Sequence, residues 1–221
     1  MNYETKYIFP KARARCISEH LDHRFVRDFQ YPANVVTSIY FDTLNWAFYG
    51  EKLNSDYLKT KLRLRWYGME TGDDVTRCYL EQKMKIGSSR AKQRKTVEVQ
   101  TTVLEQNPCR QSAIWELGEQ AARDFVGLPQ PLLPVAVIRY HRQRWIDPLT
   151  GSRISLDDKI QCIDVTPLLM VSILPVTLLS SVVEFKHQPL RRADPLPEAT
   201  RPFVRKAAFS KYVTCLEAMI R

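Results

Sequence analysis

The chain has no Cys-x-x-Cys pair, no Gly-Lys-Ser or Gly-Lys-Thr triplet, and fewer acids than bases. Its five cysteines, Cys16, Cys78, Cys109, Cys162 and Cys215, are odd in number and scattered. That excludes a disulfide framework and a cysteine-built zinc site, and it points to a reducing cytoplasm. Without the lysine triplet, and with Gly87-Ser-Ser-Arg90 too poor in glycine for a phosphate loop, a Walker nucleotide site is excluded as well. The four histidines, His20, His23, His141 and His187, lack metal-ligand spacing, and no Ser-His-Asp or Cys-His set is visible. Repeats and low-complexity tracts are missing. The polar, charged start from Met1 to Lys11 lacks the apolar core of a secretory signal. One uncharged run of nineteen residues exists, Val165 to Val183, but Pro167, Pro175 and five Ser or Thr residues interrupt it. A buried strand pair or connection is expected there, and no membrane span in this chain.

What is present is an ordinary globular composition, 44% hydrophobic and 26% charged over 221 residues, enough for one domain spanning 1–221. Only Gln188 to Pro202, with four prolines, reads as a linker. Apolar residues at Ile17, Leu21, Phe25 and Phe29 predict an amphipathic helix over Ala12 to Phe29, closed by Pro32. A second helix is expected over Cys109 to Phe125, and a third with Ser210 as its N-cap and Val213, Leu216 and Ile220 inward. Elsewhere the period is two, predicting strands at Thr37–Phe41, Tyr57–Tyr67, Arg77–Lys85, Arg90–Gln100, Val135–Trp145, Arg153–Asp157 and Val182–His187. The tryptophans Trp46, Trp66, Trp115 and Trp145 are expected in the core.

Alternation sorts the charges. Lys59, Lys61, Arg63 and Arg65 fall on one face of their strand, opposite Leu62, Leu64 and Trp66. Glu81, Lys83 and Lys85 share a face, as do Arg90, Lys92 and Arg94; so do Tyr140, Arg142 and Arg144, and Arg153, Ser155 and Asp157. Glu184 pairs with Lys186, and Glu4 with Lys6. From Lys59 to Lys95 there are eleven cations and four acids, and three of those acids, Glu70, Asp73 and Asp74, fall in a turn. A wet sheet face ordinarily mixes signs, because like charges opposite one another repel. With Lys and Arg at 33 against 24 acids, and a net charge of +9, the faces suit a polyanion. No nucleic acid is expected, since the aromatic residues mostly take the opposite face.

These segments resemble a known family in order along the chain. Glu4-Thr-Lys6-Tyr7, Ser38-Ile-Tyr-Phe-Asp42-Thr43, Lys61-Leu-Arg63-Leu-Arg65-Trp-Tyr67 and Glu81-Gln-Lys83 come first. Arg90-Ala-Lys92-Gln-Arg94, Glu184-Phe-Lys186 and Phe209-Ser210-Lys211-Tyr212 follow. Together they resemble the VTC polyphosphate polymerase domain of the triphosphate tunnel metalloenzyme, or CYTH-like, superfamily. The resemblance implies an α+β fold: an antiparallel, eight-stranded, closed tunnel barrel with flanking helices. It further implies transfer of the terminal phosphoryl group of ATP onto inorganic polyphosphate, with triphosphate as a related ligand and Mn or Mg as cofactor. By position, Lys6, Arg63, Arg65, Lys83, Lys92, Arg142 and Lys211 would act on phosphate, and Arg94, Arg139, Lys186 and Ser210 would bind substrate. Arg139 and Arg142 compete for one role in that alignment. Glu184 would hold the metal.

The hydrolases of the superfamily carry Glu-x-Glu-x-Lys near the N-terminus, whereas only Glu4 precedes Lys6 here. That favours the polymerase branch over a tripolyphosphatase or nucleoside triphosphatase; a non-catalytic polyphosphate-binding domain is the third alternative. The regulatory domain and spans of the eukaryotic polymerases have no counterpart in this length, so coupling to a membrane is expected through a partner chain.

Overall fold

The fold follows the two periods in the sequence. The protein's structure, a computed structural model, describes residues 3–68, 74–87, 89–168, 175–187, 196 and 198–220. The chain divides into two compact units. The first comprises Met1–Val35, Tyr140–Ile160 and Thr177–Ser210; the second comprises Val36–Arg139, Gln161–Val176 and Lys211–Arg221. In chain order the strands and helices are β1 (Tyr3–Pro10), α1 (Ala14–Arg24), β2 (Val26–Arg27), β3 (Ala33–Asp42), α2 (Ala47–Leu53), β4 (Leu58–Tyr67), β5 (Val75–Ile86) and β6 (Ser89–Gln100). Then come α3 (Thr101–Glu105), α4 (Ser112–Asp124), β7 (Leu133–Ile146), β8 (Arg153–Val165), β9 (Val176–Thr177), β10 (Ser180–His187), β11 (Arg205–Lys206) and α5 (Lys211–Ile220).

The result is an α+β fold rich in antiparallel sheet, but the expected eight-stranded closed tunnel barrel is not what forms. Among the described residues the sheet has eleven strands on an open path, β11-β1-β10-β8-β7-β3-β4-β5-β6, with β2 on β7 and β9 on β8. Each end strand is built as an edge. β11 is two residues long, and β6 is exposed along most of its length with Arg90, Lys92, Arg94 and Lys95 on it. Short or lysine-bearing edge strands are how sheets avoid further pairing.

Within the second unit the hydrophobic face is made by alternation. Ile39 and Phe41 of β3, Leu62, Leu64 and Trp66 of β4, and Cys78 and Leu80 of β5 are buried together with Phe48, Leu104, Ile114 and Ala121 from α2, α3 and α4. Each large apolar side chain fully withdrawn from water contributes about 1.5–3 kcal/mol. Gly118 lets α4 come close, since a Cβ there would meet the Leu132 carbonyl at 2.7 Å. The expected second helix is α4, preceded by a single 3-10 turn at Pro108–Arg110. Helices α2 and α3, of seven and five residues, are too short to show a 3.6-residue period.

In the first unit Phe9, Ile17, Leu21, Trp145, Ile154, Leu156, Val183 and Phe185 form the core. The predicted helix over Ala12 to Phe29 is shorter. It stops at Arg24, where Phe25 turns extended (φ −129°, ψ 159°) while its N–H still bonds the Leu21 carbonyl. The chain then pairs as β2, Val26 with Ile146 and Arg27 with Trp145, and Phe29 is 93% exposed. Competition from the β7 ladder ended a helix that the spacing of four would have continued.

The uncharged run splits as expected of strands and connections: Val165 ends β8, Val176 begins β9 and Ser180 begins β10, while residues 169–174 lie outside the described residues. Most of the proline-rich 188–202 segment lies outside them too. Trp66 and Trp145 are fully buried, Trp46 and Trp115 partly so. Among the described residues no helix is long and apolar enough to cross a membrane.

Candidate functional site

The second unit holds a cation lattice that register alone dictates. Across β4, β5 and β6, Lys59 lies opposite Lys85 and Lys85 opposite Arg90; next come Lys61, Lys83 and Lys92; then Arg63, Glu81 and Arg94; then Arg65, Tyr79 and Thr96. Residues directly opposite share a face, so three successive rows place eight cations around one glutamate, with Arg65 beside them. The reverse face is the apolar one, which is why the cations have no alternative side. Sequence alternation predicted each strand's basic face; the register adds that the cations line up in rows.

Glu81 is the hub. Its side chain is 0% exposed, and Arg63 donates to Oε2 through Nε at 2.9 Å and Nη2 at 2.6 Å. Arg94 donates to Oε1 through Nε at 2.8 Å and Nη2 at 2.6 Å. Lys92 Nζ stands 2.8 Å from Oε1 and Arg65 Nη1 3.9 Å from Oε2. Burial by itself pushes this carboxyl's pKa up, but Arg63, Arg65 and Lys92 outweigh it and hold the group well below the usual carboxylate range. Arg65, at 6% exposure, also donates Nε to Ser38 Oγ at 3.2 Å. Lys92 and Arg94 keep nearly half of their side-chain surface in water, at 45% and 43%.

Helix α5 starts on the same face. Tyr40 lies opposite Arg63, and Tyr212 stacks on Tyr40 with centroids 5.2 Å apart. The Tyr212 hydroxyl donates to Asp42 Oδ2 at 2.7 Å, and the same carboxylate accepts the N–H groups of Phe48 and Tyr49 at 2.9 Å each. Asp42 thus ties the first turn of α2 to the first turn of α5, and Lys211, half-buried, opens that turn. Burial raises the Asp42 carboxyl despite those donors. Arg139 stands apart: its Nε reaches Thr37 Oγ1 at 3.4 Å, and Thr37 lies opposite Trp66 on the apolar side.

The first unit has a second, mixed cluster. Lys6 lies opposite Glu184 in register, and Glu184 opposite Ser155. Lys6 Nζ is 3.1 Å from Glu4 Oε1 and 3.7 Å from Glu184 Oε2, and it donates to the Phe209 carbonyl at 3.1 Å. Burial works against the Lys6 charge, yet Glu184 and Glu4 leave its pKa raised. Lys186 Nζ is 3.0 Å from Glu184 Oε1. Arg142 grips Asp157 in a fork, Nε to Oδ1 at 2.5 Å and Nη2 to Oδ2 at 2.7 Å. Burial disfavours its charge, but Asp157, Tyr140 and Glu184 raise its pKa well above the ordinary value. Ser210 is buried at the residue before α5.

Among the described residues no group of three His, Cys, Asp or Glu side chains could hold a metal. Glu184 offers a single carboxylate faced by Lys6 and Lys186. A hard divalent cation fits there only if phosphate oxygens complete its shell, which is the usual situation for Mg.

The structure therefore brings Arg63, Arg65, Lys83, Lys92 and Arg94 onto one face, places Lys211 beside it, and groups Lys6, Glu184, Lys186 and Arg142 separately in the first unit. Sequence reasoning did not place Glu81, Tyr79 or Asp157 among the site residues. Glu81 carried a signal, as the one acid between Lys59 and Lys95 that falls outside the expected turn.

A Vibrio parahaemolyticus structure provisionally described as an adenylate cyclase is similar at 10% identity, covering 99% of this chain and 86% of that one, with a TM-score of 0.44. The Schizosaccharomyces pombe Mediator head module is similar at 11% identity, covering 88% of this chain and 86% of that chain, with a TM-score of 0.39. At that level of likeness neither bears on the chemistry. Comparison with curated proteins gives no match. The model of the VTC domain matches residues 1–220, and by that match this chain belongs to the VTC domain family.

Proposed function

We propose that the chain is a phosphotransferase that moves the terminal phosphoryl group of ATP onto inorganic polyphosphate, with Mn or Mg bound at Glu184 in company with phosphate oxygens. One observation carries this reading: eight cations stand in register around Glu81 on a single sheet face. Like charges directly opposite are destabilising, so such rows make sense against a chain of phosphates.

Phosphoryl transfer asks mainly for in-line positioning and for neutralisation of charge on the phosphoryl oxygens. Arg63 and Arg65 supply planar forks able to grip two oxygens each, while Lys83, Lys92 and Lys211 act as point charges. A terminal oxygen of the polyphosphate chain attacks the γ-phosphorus of ATP; the new P–O bond forms as the β–γ anhydride breaks, and ADP leaves with the electron pair. No side-chain nucleophile is required. In the first unit Lys6, Lys186 and Arg142 take phosphate contacts, and the divalent ion would offset phosphate charge there.

Purified protein incubated with ATP and Mn should release ADP and yield chains longer than triphosphate on a polyphosphate gel. Orthophosphate released from tripolyphosphate, with no polymer, would make the protein a hydrolase instead. Salt-sensitive binding without turnover would reduce it to a binding module.

A further inference from the structure

Two tyrosines extend the cationic face past its last arginine. Tyr79 lies opposite Arg65, two residues from Glu81, and Tyr67 follows Arg65 by two on β4, so both rings project from the side that carries the cations. They meet edge to face, with centroids 6.0 Å apart and planes at 64°. The Arg94 guanidinium lies 4.6 Å from the centroid of the Tyr79 ring, joining the pair to the Arg63, Glu81 and Arg94 row. Tyr67 is 37% exposed at the end of its strand. A chain of bare phosphates has no use for an aromatic surface, whereas a nucleobase does, because every base has a face that stacks on a ring and gains further from a nearby arginine.

We infer that Tyr67 and Tyr79 form a nucleobase platform. The base of a nucleoside triphosphate stacks on Tyr67, with Tyr79 and Arg94 bracing the ring. Its phosphates run along β4 and β5 toward Arg63, Lys61 and Lys83. Successive rows are two residues apart, about 7 Å, so the Arg63 row stands about 13 Å from Tyr67 along the strand. The platform gives the bound nucleotide a polarity, base at the tyrosine end and terminal phosphate toward the lysine rows. It also tells the phosphoryl donor from an inorganic chain. This inference rests on the polyanion reading of the cation rows.

The test is calorimetric titration of the wild-type protein with ATP, ribose 5-triphosphate and tripolyphosphate, repeated on Tyr67→Leu and Tyr67→Phe. ATP should bind wild type about tenfold more tightly than ribose 5-triphosphate, the size of one stacking contact. Tyr67→Leu should erase that advantage and leave tripolyphosphate affinity as in wild type, while Tyr67→Phe keeps it. Equal affinity for ATP and ribose 5-triphosphate in wild type overturns the platform without any variant. So does a single-stranded oligonucleotide lacking a triphosphate that binds as tightly as ATP. If tripolyphosphate itself fails to bind, the polyanion reading falls and the platform with it; triphosphate binding with no base preference sinks the platform alone.

Discussion

Replacing Glu81 by Gln removes the one negative charge at the centre of the cation rows while keeping the shape of the side chain. In the native protein that carboxylate, fully withdrawn from water, is held by Arg63 and Arg94 in double contacts, by Lys92, and at longer range by Arg65. Taking away one partner of a buried ion pair costs about 3–5 kcal/mol, because the remaining charge is left uncompensated. Lys92 and Arg94 are nearly half exposed and recover hydration, so the lower figure of about 3 kcal/mol applies. For a chain of this size it corresponds to a melting temperature lower by about 6–12 °C.

The same substitution should tighten anion binding. Glu81 competes with phosphate for the guanidinium forks and repels it: a charge 4 Å away is worth about 4 kcal/mol at an effective dielectric of 20. Screening at the water-facing Lys92 and Arg94 side reduces that to about 1.4 kcal/mol, tenfold in tripolyphosphate affinity. Differential scanning fluorimetry with and without tripolyphosphate reads both effects: Glu81→Gln should melt lower when empty and close most of the gap when saturated. The pH dependence has a definite sign. A carboxylate whose pKa is depressed by folding contributes stability above its unfolded pKa, near 4.3, and loses that contribution as pH falls through the folded value. Wild type and variant should therefore differ fully at pH 7 and draw together progressively as pH falls from about 4 toward the depressed folded value. A variant that melts like wild type and binds tripolyphosphate more weakly would refute the reasoning.

Two further outcomes are expected. Arg65→Ala and Lys211→Ala should each lose most tripolyphosphate binding by calorimetry while circular dichroism stays as in wild type; tight residual binding in both would show that other residues grip the anion. Iodoacetamide at pH 8 should alkylate native protein at Cys16, the exposed thiol, and at all five cysteines in urea. Burial pushes the Cys78 and Cys162 thiols up to about 12, and raises Cys109 and Cys215 too. Rapid labelling of Cys109 or Cys215 in native protein, read by mass spectrometry, would contradict that burial.

How much of this was legible beforehand depends on which part of the physics was local. Alternation is local, so the basic faces of β4, β5 and β6 and the apolar reverse with Leu62, Leu64 and Trp66 could be read from the chain. Register is not. That Lys61 meets Lys83 and Lys83 meets Lys92, or that Glu81 falls between Arg63 and Arg94, is fixed by turns whose lengths the alternation leaves open. Helix α1 ends short of its expected length for a related reason: Phe25 and Phe29 keep the helical spacing, but Val26 and Arg27 pair with Ile146 and Trp145 of β7. A closed sheet is implied by the family resemblance alone and not by any local pattern; among the described residues the strands follow an open path, and the end strands, two-residue β11 and cation-bearing β6, each have the character of an edge. Register also corrects the expectation that the aromatic residues take the face opposite the cations. Tyr67 and Tyr79 are exceptions that alternation itself places with Arg65 and Glu81, and the pairing puts Tyr79 beside Arg65 and under Arg94. That neighbour changes the chemistry: a basic face with a ring at one end can tell a nucleotide from a bare phosphate chain, and a basic face alone cannot.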